Sequence, residues 1–208
     1  MGSCNDFCVN NRKEADLLIK HAKSAYMRLF IILALNTGQR SKAILGLKWF
    51  QVDFDNRLIH FHPPGKKVTN KRAATIPMNV IVLKSLRDAR RKAKAEFVIS
   101  RSGKPITGLK HGFRLLCGDV GLEGVTPHTL RHTAGTWMAQ GGVDMFQISG
   151  ILGHGHSKTT ELYLKHHPDY LQDGVAVLAS GKLLANKTHK TGKKGASPLK
   201  RKQAKSNR

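Results

Sequence analysis

Apolar positions along this chain repeat first at helical spacing, then alternate, then return to helical spacing. From Lys13, the residues Ala15, Leu18, Ile19 and Ala22 fall on one helical face. A second helix is predicted from Tyr26 to Leu35, apolar nearly all round and stopped by Gly38. A short third helix is predicted from Ser41 to Leu47, with Ser41 near its start. The period then shortens. In "LIHFH" (58–62), Leu58, His60 and His62 alternate with Ile59 and Phe61, which predicts a strand. "PPGKKVTNKR" (63–72) has turn composition, and "AATIPM" (73–78) resumes as a strand. Together they predict a two- or three-stranded antiparallel sheet with a basic hairpin.

Helical spacing returns over 80–95, and 97–107 reads as a short strand and loop. A helix and turn follow over 109–122. Pro127 opens another helix that Gly141 and Gly142 stop. The stretch 144–154 is helical with Asp144 as N-cap, and 157–166 gives the next helix. Residues 175–185 hold one more short helix. There are no internal repeats. The fold class is mainly α with one small antiparallel sheet.

Charge changes the picture. The chain has 208 residues, with Lys+Arg 36 against Asp+Glu 13 and a formal net charge of +23. Such a surplus points to a polyanion partner, most often nucleic acid. Residues 181–208 carry ten Lys or Arg and no acid, leaving a surplus of +13 in residues 1–180. The tail alone therefore does not account for the charge. Three cysteines, Cys4, Cys8 and Cys117, give no disulfide framework. No apolar run approaches the ~20 residues of a membrane span, and no secretory signal opens the chain. A cytoplasmic protein is expected.

The residues with chemical potential are few. Arg40 follows Gly38 at a helix start. Lys66, Lys67, Lys71 and Arg72 sit in the basic hairpin. His128 and Arg131 lie three apart on one helix. His154 follows a Leu-Gly pair, and Tyr163 comes nine residues after it. Arginines neutralise the non-bridging oxygens of a phosphoryl-transfer transition state. A tyrosine hydroxyl is a nucleophile, and lysine or histidine a general acid or base. A competing reading makes His128 and His132, four apart, zinc ligands, but the H-E-x-x-H pattern has Thr129 in place of its Glu. His154 and His156 flank a glycine and are a second chance metal pair. The expectation is a site without metal or cofactor. Trp49 and Trp137 read as core anchors, while Tyr26 and Tyr170 lack comparable neighbours. The stretch "GVDMFQISGILGH" has a helix-turn-helix look that packing explains better.

Taken together, "TGQRSKAILGLKW", "TPHTLRHTAGTWMAQGG" and "ILGHGHSKTTELYLKH" resemble, in order, the three boxes of the tyrosine recombinases, the phage integrase family. The resemblance covers roughly residues 13 to 172. It implies that Arg40 and Arg131 clamp a scissile phosphate, that His128 and His154 hydrogen-bond it and help proton transfer, and that Tyr163 attacks it. A 3′-phosphotyrosyl link and a free 5′-hydroxyl would result, with a hairpin lysine protonating the leaving oxygen. His132 would be a packing or supporting residue.

The chain departs from the family pattern in two places. Ala43 stands where an acid often follows the first arginine. Counting back from Pro77, the lysine position falls near Thr69 or Asn70, between Lys67 and Lys71. A hairpin shifts register by a residue or two, so Lys71 is favoured and Lys67 is the alternative. Lys66, Lys67 and Arg72 are DNA-contact candidates.

The resemblance implies double-stranded DNA as partner, with a homotetramer on DNA for a full-length protein and a monomer in isolation. It also implies phage, prophage or bacterial origin and association with the nucleoid. The expected organisation is a disordered or cloning-derived segment 1–12, a catalytic domain 13–180 and a basic disordered tail 181–208. Only about a dozen residues precede the first helix, so the expected unit is a catalytic domain without the family's N-terminal DNA-binding domain. Two other functions remain open: a type IB topoisomerase-like nicking-closing enzyme, and a decayed module that binds DNA without cutting it.

Overall fold

A computed structural model describes residues 12–62, 74–153 and 175–179. Its first helix, α1 (Arg12–His21), packs Ala15 and Leu18 inward. Helix α2 (Ala25–Thr37) is the hub. Its Phe30, Ile31 and Leu33 are fully enclosed because α1, the short α3 (Ser41–Leu45), α4 (Val80–Lys92) and α6 (Pro127–Gln140) all lie against it. A helix covered on several sides must be apolar all round, as its sequence is.

α2 ends where Gly38 adopts φ 63°, ψ 14° and returns its N–H to the Ala34 carbonyl at 3.0 Å. The left-handed conformation suits glycine here. A Cβ at Gly38 would also stand 2.6 Å from Leu152 Cδ2. The next helix begins at Ser41 with Arg40 as its N-cap residue.

The sheet has three strands, as one of the two sequence alternatives had it. β1 (Val52–Asp53) pairs antiparallel with β2 (Leu58–His60), and β2 with β3 (Thr75–Pro77). Ile59 faces Ile76 in register, and both are fully buried. Ile59 and Phe61 form the inward set, as the alternation predicts. The sequence did not locate β1, which two residues and a single 3-10 turn at Trp49–Gln51 build. Both predicted strands are also shorter than expected, β2 at Leu58–His60 and β3 at Thr75–Pro77.

A two-stranded hairpin, β4 (Ser100–Arg101) and β5 (Lys104–Pro105), occupies the predicted strand-and-loop region. Helix α5 (Lys110–Asp119) buries Phe113, Leu116 and Cys117. Asn79 caps α4, its Oδ1 accepting from Val82 N at 2.9 Å. α4 stops at Lys92, three residues before its predicted end.

Residues 175–179 form a helical stretch seated on this body, with Val175, Val177 and Leu178 at 2% exposure or less. Arg12 Nη2 donates to the Val177 carbonyl at 2.8 Å, and its Nη1 to that of Leu178. The same guanidinium lies 3.9 Å from the centroid of the Trp137 ring. Asn79 Nδ2 donates to the Val175 carbonyl at 3.2 Å. A Cβ on Gly141 would sit 2.5 Å from Val177 Cγ1, so the end of α6 is bare where this stretch crosses it.

Candidate functional site

Helix α6 starts with a reciprocal cap. Thr126 Oγ1 accepts from Thr129 N at 3.3 Å, and Thr129 Oγ1 accepts from Thr126 N at 3.0 Å. Pro127 takes the first helical position, where its missing N–H costs nothing. This start fixes the phase of the helix. Leu130, Ala134 and Met138 face the core at zero exposure, while His128 and His132 are exposed, one turn apart on one face. Arg131 lies between the two faces and is 4% exposed.

Helix α7 (Met145–Leu152) begins at Asp144, whose Oδ1 accepts from Phe146 N at 2.8 Å. It ends at Gly153, left-handed at φ 62° and ψ 42°. Thus α2 and α7 both terminate on left-handed glycines. Each presents last-turn carbonyls that lack an intrahelical partner, at the negative end of a helix dipole.

The two arginines occupy those ends. Arg131 Nη1 donates to the Gly38 carbonyl at 2.9 Å. Arg40 Nη1 and Nη2 reach the Gly153 carbonyl at 3.5 and 3.4 Å. Between them in sequence, Gln39 Nε2 donates to the carbonyls of Ile151 and of Thr37, the latter at 3.3 Å. The tripeptide 38–40 therefore bonds to α6 through its first residue and to the end of α7 through the other two.

Arg40, Arg131, His128 and His132 line one cleft of about 600 Å³ at the crossing of α6 and α7, with Gly135, Ser149 and Leu152 behind them. Arg131 Nη2 is enclosed and has no hydrogen-bond partner among the described residues. Buried charged donors rarely lack an acceptor, and an anion would supply one. Burial and the neighbouring Arg40 push the Arg131 guanidinium down to about 10, which leaves it charged at neutral pH. Although His128 is exposed overall, it is held below the ordinary histidine value, first by partial desolvation of its ring and then by His132, Arg131 and Arg40. A neutral imidazole thus stands beside two fixed cations.

The structure places Arg40, His128 and Arg131 along one cleft. His132 does not pack into the core; its ring stands edge-on to His128, centroids 4.5 Å apart. Among the described residues no group of three or more His, Cys, Asp or Glu side chains is placed to hold a metal ion. Lys66, Lys67, Lys71, Arg72, His154 and Tyr163 lie outside the described residues, as do the 157–166 helix and the tail. Sequence reasoning passed over Gln39 and the carbonyls of Gly38, Ile151 and Gly153. Backbone acceptors carry no side-chain signature, and only the unusual polar residue inside "TGQR" offered a hint.

Comparison with known proteins gives these residues a setting. The model of the phage integrase family matches residues 10–169. The tyrosine recombinase XerC of Chlamydia caviae is 29% identical over 144 residues, covering 65% of this chain and 46% of that protein. Tyrosine recombinase XerA of Thermococcus onnurineus is 31% identical over 150 residues, covering 70% and 52%. The chain thus spans about half the length of these relatives. A crystal structure of XerA recombinase superposes with TM-score 0.61 at 24% identity, covering 78% of this chain and 62% of that one. The Tn1549 transposon integrase, in complex with circular intermediate DNA, gives TM-score 0.61 at 21% identity, covering 76% and 60%. A lambda integrase tetramer bound to a Holliday junction gives 0.58 at 19%, covering 71% and 47%.

Proposed function

The chain belongs to the phage integrase family, and from that premise we propose that it is the catalytic part of a site-specific tyrosine recombinase, a metal-independent DNA strand transferase. The observation that supports this most is the paired seating of Arg40 and Arg131 on two helix C-termini, facing one cleft that His128 also lines. A guanidinium anchored at 2.9 Å on one helix-end carbonyl, with a second resting 3.4 Å from another, presents two oriented cations to a phosphodiester, and preorganised charge usually does more than any other single effect to speed such reactions.

In this reading the non-bridging oxygens of the scissile phosphate lie against Arg40 and Arg131. His128 and His154 hydrogen-bond the phosphoryl group. The Tyr163 hydroxyl loses its proton to a histidine and attacks phosphorus. A phosphorus–tyrosine bond forms and the bond to the 5′ oxygen breaks. Lys71, with Lys67 as the alternative, gives the departing oxygen its proton. The reverse reaction, with a 5′-hydroxyl from another strand, rejoins DNA and frees Tyr163.

Duplex DNA is the partner, held through the basic surface and through Lys66, Lys67 and Arg72. Assembly on DNA as a homotetramer, association with the nucleoid, and phage or prophage origin belong to the same proposal. The catalytic unit is 13–180 and the basic tail 181–208. The seating of 175–179 on α6 supports a unit that reaches at least that far. No helix among the described residues is long and apolar enough to cross a membrane.

The test is incubation in EDTA with nicked duplexes randomised around the nick, followed by denaturing electrophoresis. A covalent protein–DNA adduct is expected from the parent and none from Tyr163→Phe. An adduct that survives Tyr163→Phe, or that requires added Zn²⁺, overturns the assignment. No adduct with retained DNA binding leaves a non-cutting module. Relaxation of supercoiled plasmid without strand exchange would instead point to a nicking-closing enzyme.

A further inference from the structure

Gln39 is 2% exposed, yet it sits in the loop that carries Arg40. A side-chain amide nitrogen has two hydrogens to donate. Here one goes to the Thr37 carbonyl at the end of α2 and the other to the Ile151 carbonyl at the end of α7. Its own backbone N–H contacts Thr37 Oγ1 at 3.4 Å, and that hydroxyl is committed to the Leu33 carbonyl at 2.7 Å. The amide therefore joins two helix C-termini that would otherwise bury unanswered carbonyls.

The joint bears directly on the arginine. Ile151 is two residues before Gly153, whose carbonyl takes both Arg40 nitrogens. Leu152, between them, is wedged under Gly38 and Gly135, where added Cβ atoms would stand 2.6 and 3.3 Å from its methyl carbons. The last turn of α7 is thus held from three directions by the 38–40 tripeptide and α6. An apolar residue at 39 would leave the wedge but remove the hydrogen-bonded stop that sets its register. A glutamate would aim an acceptor at two carbonyls.

We infer that Gln39 is a positioning residue for phosphoryl transfer, fixing the end of α7 so that the Gly153 carbonyl holds the Arg40 guanidinium at the scissile phosphate. The inference rests on the strand-transfer reading of the cleft. Gln39 touches no substrate; it acts through Gly153 and Arg40.

The experiment compares the full chain with Gln39→Leu, which keeps size and removes both donors, and with Gln39→Asn, which keeps the amide but withdraws it by one methylene. Single-turnover adduct formation is measured on nicked duplexes bearing either a normal phosphodiester or a neutral methylphosphonate at the intact scissile linkage beside the nick. A neutral phosphonate has little use for an arginine's charge. Misplacing a charge-stabilising group by about 1 Å costs on the order of 10²-fold. Both variants are therefore expected to lose ~10–100-fold on the phosphodiester and about threefold or less on the methylphosphonate, with DNA affinity unchanged, and Arg40→Ala is expected to share that selectivity. Equal losses on both substrates indicate a general packing defect and overturn the inference, as does the absence of any loss. If the parent itself forms no adduct on either substrate, the strand-transfer reading fails first and takes this inference with it.

Discussion

Arg131, on α6, donates to the carbonyl of Gly38, two residues before Arg40. The two cations of the cleft are therefore coupled through a two-residue stretch of backbone. A shift of α6 relative to the end of α2 would break the Arg131–Gly38 bond. Arg131 spends one nitrogen on this anchor and keeps another enclosed without a protein acceptor among the described residues.

That division of labour predicts the effect of Arg131→Lys. A lysine keeps the charge, but its single ammonium cannot both hold the Gly38 carbonyl and present a planar fork to a phosphate. Adduct formation is expected to fall by roughly 10²-fold or more, with DNA binding nearly intact. Arg131→Ala is expected to abolish the adduct. A gel-based adduct assay beside a binding titration separates the two effects; near-parental cleavage by Arg131→Lys would contradict the role.

Gly38→Ala tests the frame. The left-handed backbone at φ 63° and the 2.6 Å approach of Leu152 both oppose a Cβ. Together they should cost at least about 2 kcal/mol, lowering Tm by on the order of 4–8 °C. Gly121→Ala is the control. It has φ +71° but nothing within 4 Å of the added carbon, so only about 1 kcal/mol is expected. Equal losses in thermal denaturation would mean that Leu152 does not wedge Gly38.

The protonation of His128 is measurable by NMR. Its folded value lies below the ordinary ~6.5, because burial and nearby positive groups disfavour the imidazolium. It is therefore neutral at pH 7, and protonation sets in only as pH falls below the ordinary range. Adduct formation should hold down to that point and decline beneath it. His132→Gln removes one of the opposing charges and should move the His128 titration upward. A titration at or above ~6.5 in the parent would contradict the environment described.

The general acid is tested by leaving-group chemistry. Lys71→Ala should slow cleavage by roughly 10²-fold, and a 5′-thiol leaving group, which needs little protonation, should restore the rate. If Lys67→Ala behaves this way instead, the proton comes from Lys67.

Salt dependence addresses the tail. The logarithm of affinity falls with the logarithm of salt in proportion to the phosphates neutralised. Deleting residues 181–208 removes ten cations, so the slope should flatten while binding by the rest persists. An unchanged slope would mean that the tail makes no phosphate contacts.

Helix periods, Gly38, the Asp144 cap and the α6 start at Pro127 were all legible, because each depends on local side-chain chemistry. The convergence of Arg40, His128 and Arg131 was legible only through the spacing of the boxes. β1 was not, since a two-residue strand shows no alternation and exists because β2 offers it a partner. The acceptors that seat the arginines were not legible either, because a carbonyl belongs to every residue and only the fold decides which ones lack a helical donor. The end of α4 at Lys92 was overshot because 93–95 keeps the composition of a helix.

The seating of 175–179 has an optical consequence. The chain has 2 tryptophans. Trp49 lies against Arg90 at 5.3 Å, and its indole N–H has no acceptor among the described residues, so Trp49→Phe sacrifices no hydrogen bond there. That leaves Trp137 as the sole tryptophan, selectively excited beyond the tyrosine absorption band, with the Arg12 guanidinium 3.9 Å above its ring. The same guanidinium grips the carbonyls of Val177 and Leu178. Release of that stretch frees the cation from its acceptors and changes the field at the indole. Emission from a single-tryptophan variant therefore reports docking of 175–179 in real time, with no attached dye.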